Sequence, residues 1–185
     1  MKETRSTQIQ SNDQMQLVGT PIVFEQETII NDRLGSYKEV IKRGALDGAD
    51  LTDIRLLYNH DINKIPLART PKTMAFSVDD KGLHMRATLP DTEEARAVHT
   101  AVARGDLTGM SFSFTVPKDG SSYDSKTNTR TISKIAKVYE CSVVPFPAYQ
   151  MTSVEARAEM TEAQGREIAK QQAKIKINQI LKGGF

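Results

Sequence analysis

Serines alternate with phenylalanines in residues 109–114, GMSFSF. A period of two is typical of a β-strand, so we expect the two phenylalanines to be buried and Ser111 and Ser113 to lie on the opposite face. A serine hydroxyl is a weak nucleophile at neutral pH and needs an imidazole to accept its proton. Of the three histidines, His60 follows the apolar run of residues 56–58 and is expected at the end of another strand. Ser111 and His60 are therefore the leading candidates for a catalytic pair.

An imidazole in this role needs an acid that fixes its tautomer. Glu140 is the best third member, because its strand is expected to pair with the serine strand across a polar loop over residues 118–130. Asp61 and Asp106 are alternatives for the same role. Each of the three residues also has a non-catalytic explanation. A serine in a strand is commonly a surface residue, and a histidine at the end of a strand commonly points to solvent. A glutamate in a strand can prevent edge-to-edge aggregation. From the residues alone, the triad is one candidate.

Other kinds of site lack the residues they need. His84 and His99 fall in a predicted hairpin strand and a predicted helix, and no HExxH or CxxC pattern occurs. The glycines form neither GxxxxGK nor GxGxxG. We therefore expect no metal and no cofactor. The chain could also be a hydrolase of small esters, but this function is disfavoured because no GxSxG motif occurs.

Length and composition limit the other possibilities. The chain has 185 residues, 38% of them hydrophobic, which suits one domain with a short appendage. A formal net charge of +2 and the absence of tryptophan argue against a nucleic-acid partner. No apolar run reaches the roughly 18 residues of a membrane-spanning helix, so no membrane partner is expected. The single cysteine cannot form an internal disulfide, and together with the polar N-terminus it favours the cytosol.

Composition also divides the chain into three regions. Residues 1–14 are polar and aperiodic and are predicted to form a flexible arm, residues 15–151 form the domain, and residues 152–185 form a charged helical or disordered tail. The domain combines many short strands with one internal helix. We therefore predict a mainly β fold with peripheral α-helices (α+β), built as an antiparallel sheet or barrel.

Local signals place several elements within that domain. Residues 79–82, DDKG, predict a hairpin turn, and residues 90–105 predict a helix with a capping start and a glycine stop. Residues 118–130 are predicted to be a mobile polar loop. Strict alternation along the returning strand predicts that Val138 shares a face with Glu140.

Three blocks of sequence, taken in order, resemble a known family. They are residues 57–61, LYNHD, residues 105–114, GDLTGMSFSF, and residues 139–149, YECSVVPFPAY. Together they closely resemble the prohead maturation proteases of tailed bacteriophages (Caudovirales). The resemblance implies a serine endopeptidase whose fold is similar to the herpesvirus assemblins, an antiparallel β-barrel ringed by helices. Carried over onto this sequence, the family's histidine falls on His60, its serine on Ser111 and its acid on Glu140.

The same resemblance implies the substrates of this protein and its location in the cell. Family members process the major capsid protein or its scaffolding segment inside the immature capsid (prohead) in the host cytoplasm, and they commonly cut themselves. Related assemblins make self-association as a dimer an expectation here. The tail from residue 152 is expected either to target the procapsid or to be a solvated extension. The alternative function is a non-catalytic scaffold module that binds coat protein.

Overall fold

The computed structural model describes residues 9–12, 15–32 and 35–145. Within these ranges the chain forms twelve strands and one α-helix, α1 (Glu93–Arg104). The strands are β1 (Ile9–Asn12), β2 (Gln16–Val23), β3 (Thr28–Asp32), β4 (Gly35–Ile41), β5 (Arg55–Tyr58), β6 (Ala68–Arg69), β7 (Met74–Val78), β8 (Gly82–Thr88), β9 (Gly109–Thr115), β10 (Ser121–Asp124), β11 (Thr129–Ile132) and β12 (Lys137–Val144). The predicted mainly β fold is confirmed.

The described strands form three four-stranded sheets. Their orders are β1-β2-β8-β7, β10-β11-β4-β3 and β6-β5-β12-β9. Pairing is antiparallel except between β4 and β11 and between β5 and β12, which are parallel. No sheet closes on itself among these strands, so the closed antiparallel barrel that the resemblance implies is not found there. Both parallel pairs join strands distant in sequence, which local hairpin signals do not reveal.

One hydrophobic core is shared by the three sheets and the helix. Its members include Leu17, Ile22, Met85, Ile41, Ile132, Leu56, Met110, Cys141, Val143, Ala95, Val98 and Val102. The β6-β5-β12-β9 sheet contributes side chains from one of its faces to this core. Its other face carries Glu140 and Ser142 beside the buried side chains of Leu57 and Val144.

The helix and the hairpin predicted from local signals are both present. Thr92 caps α1 by accepting a hydrogen bond from the backbone N–H of Ala95, and Gly105 ends the helix with φ at 81°. β7 and β8 pair across the predicted turn. No helix in the described ranges is long and apolar enough to cross a membrane.

Two segments predicted to be irregular are ordered strands. Residues 9–12 of the predicted flexible arm form β1, which pairs with β2 and buries Ile9. The predicted mobile loop over residues 118–130 contains β10 and the start of β11. Arg130 of β11 is 1% exposed and pairs with Glu39 of β4 at 3.0 Å. For residues 9–12 and 121–130 these predictions were wrong, because polar composition does not reveal that a segment pairs with another strand. The predicted tail lies outside the described residues.

Candidate active site

Neighbouring strands of the β6-β5-β12-β9 sheet carry the candidate residues. β12 lies between β5 and β9 and runs antiparallel to β9. Ser111 of β9 lies directly opposite Ser142 of β12, and Ser113 lies directly opposite Glu140. Because directly opposite residues share a face of the sheet, these four polar side chains form one patch, here called the serine patch.

A bulge in β12 decides which of its side chains belong to the serine patch. Val138 and Glu140 pair with consecutive residues of β9, so Tyr139 is the extra residue of the bulge. The bulge shifts the alternation by one position, and Val138 therefore joins Cys141 in the core. The prediction that Val138 and Glu140 share a face was wrong for this reason.

His60 is positioned by the loop that follows β5. Asn59 and His60 are consecutive left-handed residues with φ of 53° and 59°. This backbone conformation costs roughly 1–2 kcal/mol per residue outside glycine, although Asn and His adopt it more readily than most. The Asn59 N–H donates to the Val143 carbonyl at 2.9 Å, and the His60 N–H donates to Ser142 Oγ at 3.1 Å. These two bonds tie the loop to β12.

The structure joins His60 to Glu140. Nδ1 of His60 lies 2.7 Å from Oε1 of Glu140, and the two side chains are 24% and 9% exposed. With Nδ1–H donating to the carboxylate, Nε2 is the ring nitrogen left to accept a proton. The alternative acids are engaged elsewhere, because Asp61 accepts from the N–H of Asn63 and Asp106 pairs with Arg104.

Two further serines bind the same carboxylate. Ser113 Oγ donates to Oε1 of Glu140 at 2.5 Å, and Ser142 Oγ donates to Oε2 at 2.5 Å. No role was predicted for these two hydroxyls, although Ser113 lies two residues after Ser111 and Ser142 lies two residues after Glu140, a spacing that puts each pair on one face of a strand. Among the described residues, no side-chain hydrogen bond engages the Ser111 hydroxyl or joins it to His60. Ser111 is thus a partly buried neighbour of the joined His60–Glu140 pair.

Comparison with known proteins identifies the family. The chain matches the family model of the Caudovirus prohead serine protease over residues 2–167. The chain belongs to this family. It is therefore related to serine peptidases of the phage prohead, as the sequence blocks predicted. Membership in this family implies that capsid or scaffold proteins are its partners. It also implies that the protein is located inside the capsid in the host cell. No curated protein and no solved structure matched the chain.

A cysteine nucleophile is excluded by the placement of the only thiol in this prohead protease. Cys141 lies between Glu140 and Ser142 in β12, but on the opposite face and with no exposed surface. Burial raises the pKa of the Cys141 thiol well above its ordinary value. Because the thiolate is the reactive form, Cys141 behaves as an apolar core residue.

The loop after His60 presents apolar side chains to solvent. Ile62 and Ile65 are 81% and 85% exposed. Ile65 also lines a groove of about 550 Å³ between this loop and the start of α1. The other lining residues are Lys64, Pro66, Leu67, Pro90, Thr92, Glu93, Glu94 and Ala97. An apolar surface therefore begins two residues after the candidate histidine.

Proposed function

We propose that this chain is a serine endopeptidase in which Ser111, His60 and Glu140 form the catalytic triad. The observation that carries the proposal is the 2.7 Å contact between His60 and Glu140 beside the serine strand. Ser111 Oγ attacks the scissile carbonyl while Nε2 of His60 takes its proton. His60 then gives this proton to the leaving amine, and an acyl-enzyme remains on Ser111 until water hydrolyses it. Glu140 holds the ring and stabilises the imidazolium.

Hydrogen bonding distinguishes Ser111 from the other serines of the patch. Ser113 and Ser142 have donated their only hydroxyl protons to Glu140, and Ser142 has no exposed surface. Ser111 remains as the hydroxyl free to be deprotonated. Side-chain rotation at Ser111 completes the contact with His60, which commonly tightens only when substrate binds.

A polypeptide is the substrate that the surroundings of His60 favour. Lys64 begins the groove four residues after His60, so their Cα atoms are at most about 15 Å apart. An extended peptide advances about 3.4 Å per residue, and four or five residues span that distance. The exposed Ile62 and Ile65 then contact aliphatic side chains of the bound chain. A small ester would not reach this surface.

Family membership supports the remaining parts of the proposal. The major capsid protein or its scaffolding segment is the substrate, and cleavage occurs within the prohead in the host cytoplasm. Self-cleavage, dimerisation and a fold related to the herpesvirus assemblins belong to the same proposal. So does targeting by residues 152–185, which lie outside the described residues.

Co-expression with the cognate coat and scaffold proteins tests this function. Mass spectrometry of the coat protein should find new termini with the unchanged chain and none with Ser111→Ala. Ser113→Ala, the same chemical change two residues away, should retain the new termini. The same termini with Ser111→Ala would overturn the assignment. Binding of coat protein without any new termini would instead favour the non-catalytic scaffold module.

A further inference from the structure

We infer that Ser142 is a positioning residue whose hydroxyl holds His60 and Glu140 in their relative orientation, an inference that rests on the proposed function. Ser142 lies opposite Ser111 in the sheet and is fully buried. It makes no contact with a reacting atom in the proposed mechanism. Its effect on Ser111 would pass through the histidine and the carboxylate.

One oxygen atom links the two partners of the pair. A serine hydroxyl has one proton to donate and two lone pairs. The Ser142 proton goes to Oε2 of Glu140 at 2.5 Å, and the oxygen accepts the His60 backbone N–H at 3.1 Å. Oε1 of the same carboxylate accepts the ring Nδ1–H of His60 at 2.7 Å. Backbone, hydroxyl, carboxylate and ring therefore close a hydrogen-bonded cycle that fixes the imidazole.

The same cycle also stabilises the backbone conformation of His60. Asn59 and His60 hold consecutive left-handed conformations, which tertiary contacts must maintain. The Ser142 oxygen supplies one of these contacts. Because Ser142 has no exposed surface, water is not available to replace the hydroxyl once it is removed. Loss of the hydroxyl would leave both the N–H of His60 and one carboxylate oxygen without their partner.

Ser113 provides a matched comparison within the serine patch. Its hydroxyl donates to the same carboxylate, but to Oε1, which His60 already occupies. Ser113 is only partly buried and contacts no backbone group of the histidine loop in the described structure. Water can replace a donor at such a position with little loss. Removing this hydroxyl should therefore disturb the site less than removing that of Ser142.

The rate at which a fluorophosphonate labels Ser111 measures its activation without requiring a known substrate. Ser142→Ala should lower the maximal labelling rate about tenfold to a hundredfold with unchanged probe affinity, in protein that circular dichroism shows to be folded at the assay temperature. Ser113→Ala should slow labelling less than Ser142→Ala does. Ser142→Cys, similar in size but a weak donor, should show the same slowing and serves if Ser142→Ala does not fold.

The possible failures are distinct. Equal labelling rates for the unchanged chain and Ser142→Ala would overturn the positioning role while leaving the proposed function intact. Equal slowing by Ser113→Ala would also overturn it, because the link to the His60 backbone would then be irrelevant. No labelling of Ser111 in the unchanged chain would overturn the proposed function itself.

Discussion

Replacing Glu140 by glutamine removes the charge of the site while keeping its shape. The carboxylate accepts hydrogen bonds from His60, Ser113 and Ser142. A glutamine amide has one acceptor oxygen and one NH₂ donor. If its oxygen faces His60, its NH₂ faces the Ser142 hydroxyl, which then has no acceptor for its proton. If its NH₂ faces His60, Nδ1 must give up its proton and the ring adopts the wrong tautomer for accepting one at Nε2.

The size of the effect follows from these contacts. A hydrogen bond to a charged group contributes about 1.5–3 kcal/mol. Glu140→Gln takes the charge out of all three and, in either orientation, leaves at least one of them without its acceptor, for a loss of about 3–6 kcal/mol. At 1.36 kcal/mol per tenfold, Ser111 should react roughly 10² to 10⁴ times more slowly. The geometry of the serine patch should change little, since glutamine and glutamate have nearly the same shape.

The fluorophosphonate labelling rate of Ser111, with thermal unfolding measured in parallel, is the assay. Glu94→Gln is the matched control. Oε1 of Glu94 lies 2.9 Å from Nζ of Lys64 in the groove, and Glu94 touches no residue of the serine patch among the contacts described. It should be labelled at the rate of the unchanged chain. A rate for Glu140→Gln within about threefold of that value would show that the Glu140 charge does not activate Ser111 and would give the orienting role to another acid.

Two further predictions concern the substrate surface and stability. Ile62→Ser with Ile65→Ser should raise KM for coat-protein cleavage and leave the fluorophosphonate labelling rate unchanged; an unchanged KM would contradict a polypeptide lying along this loop. Glu39→Gln should lower the free energy of unfolding by about 3–5 kcal/mol, because it leaves the buried Arg130 guanidinium without its charge partner. Denaturant titration followed by exposure of the Cys141 thiol measures this change, and a loss below about 1 kcal/mol would contradict it.

Local sequence signals predicted the elements whose causes are local. The capped helix and the β7–β8 hairpin follow from residues within one segment, and both are present. The family blocks and the candidates His60 and Glu140 were also readable from sequence, and the structure joins these two residues.

Features set by distant partners could not be predicted in this way. The bulge at Tyr139 depends on how β12 pairs with β9. The parallel neighbour of β12, β5, lies about eighty residues earlier in the chain. The left-handed backbone at His60 depends on contacts with the same strand. The pairing of β11 with β4 likewise joins strands about ninety residues apart. Residues 9–12 pair with the adjacent β2, so their polar composition, and not a distant partner, hid this strand. Polar composition reports the exposure of a segment but not the partner that orders it.

Ser111 is the nucleophile of the proposed mechanism, and chemical labelling tests this role directly. Tryptic digestion after fluorophosphonate labelling places Ser111 and Ser113 together in the peptide of residues 105–118, and Ser142 in that of residues 138–157. We predict that tandem mass spectrometry will locate the phosphonate on Ser111, and that His60→Ala will abolish it. Modification of Ser113 or Ser142 in place of Ser111, or undiminished labelling of His60→Ala, would contradict the proposed triad.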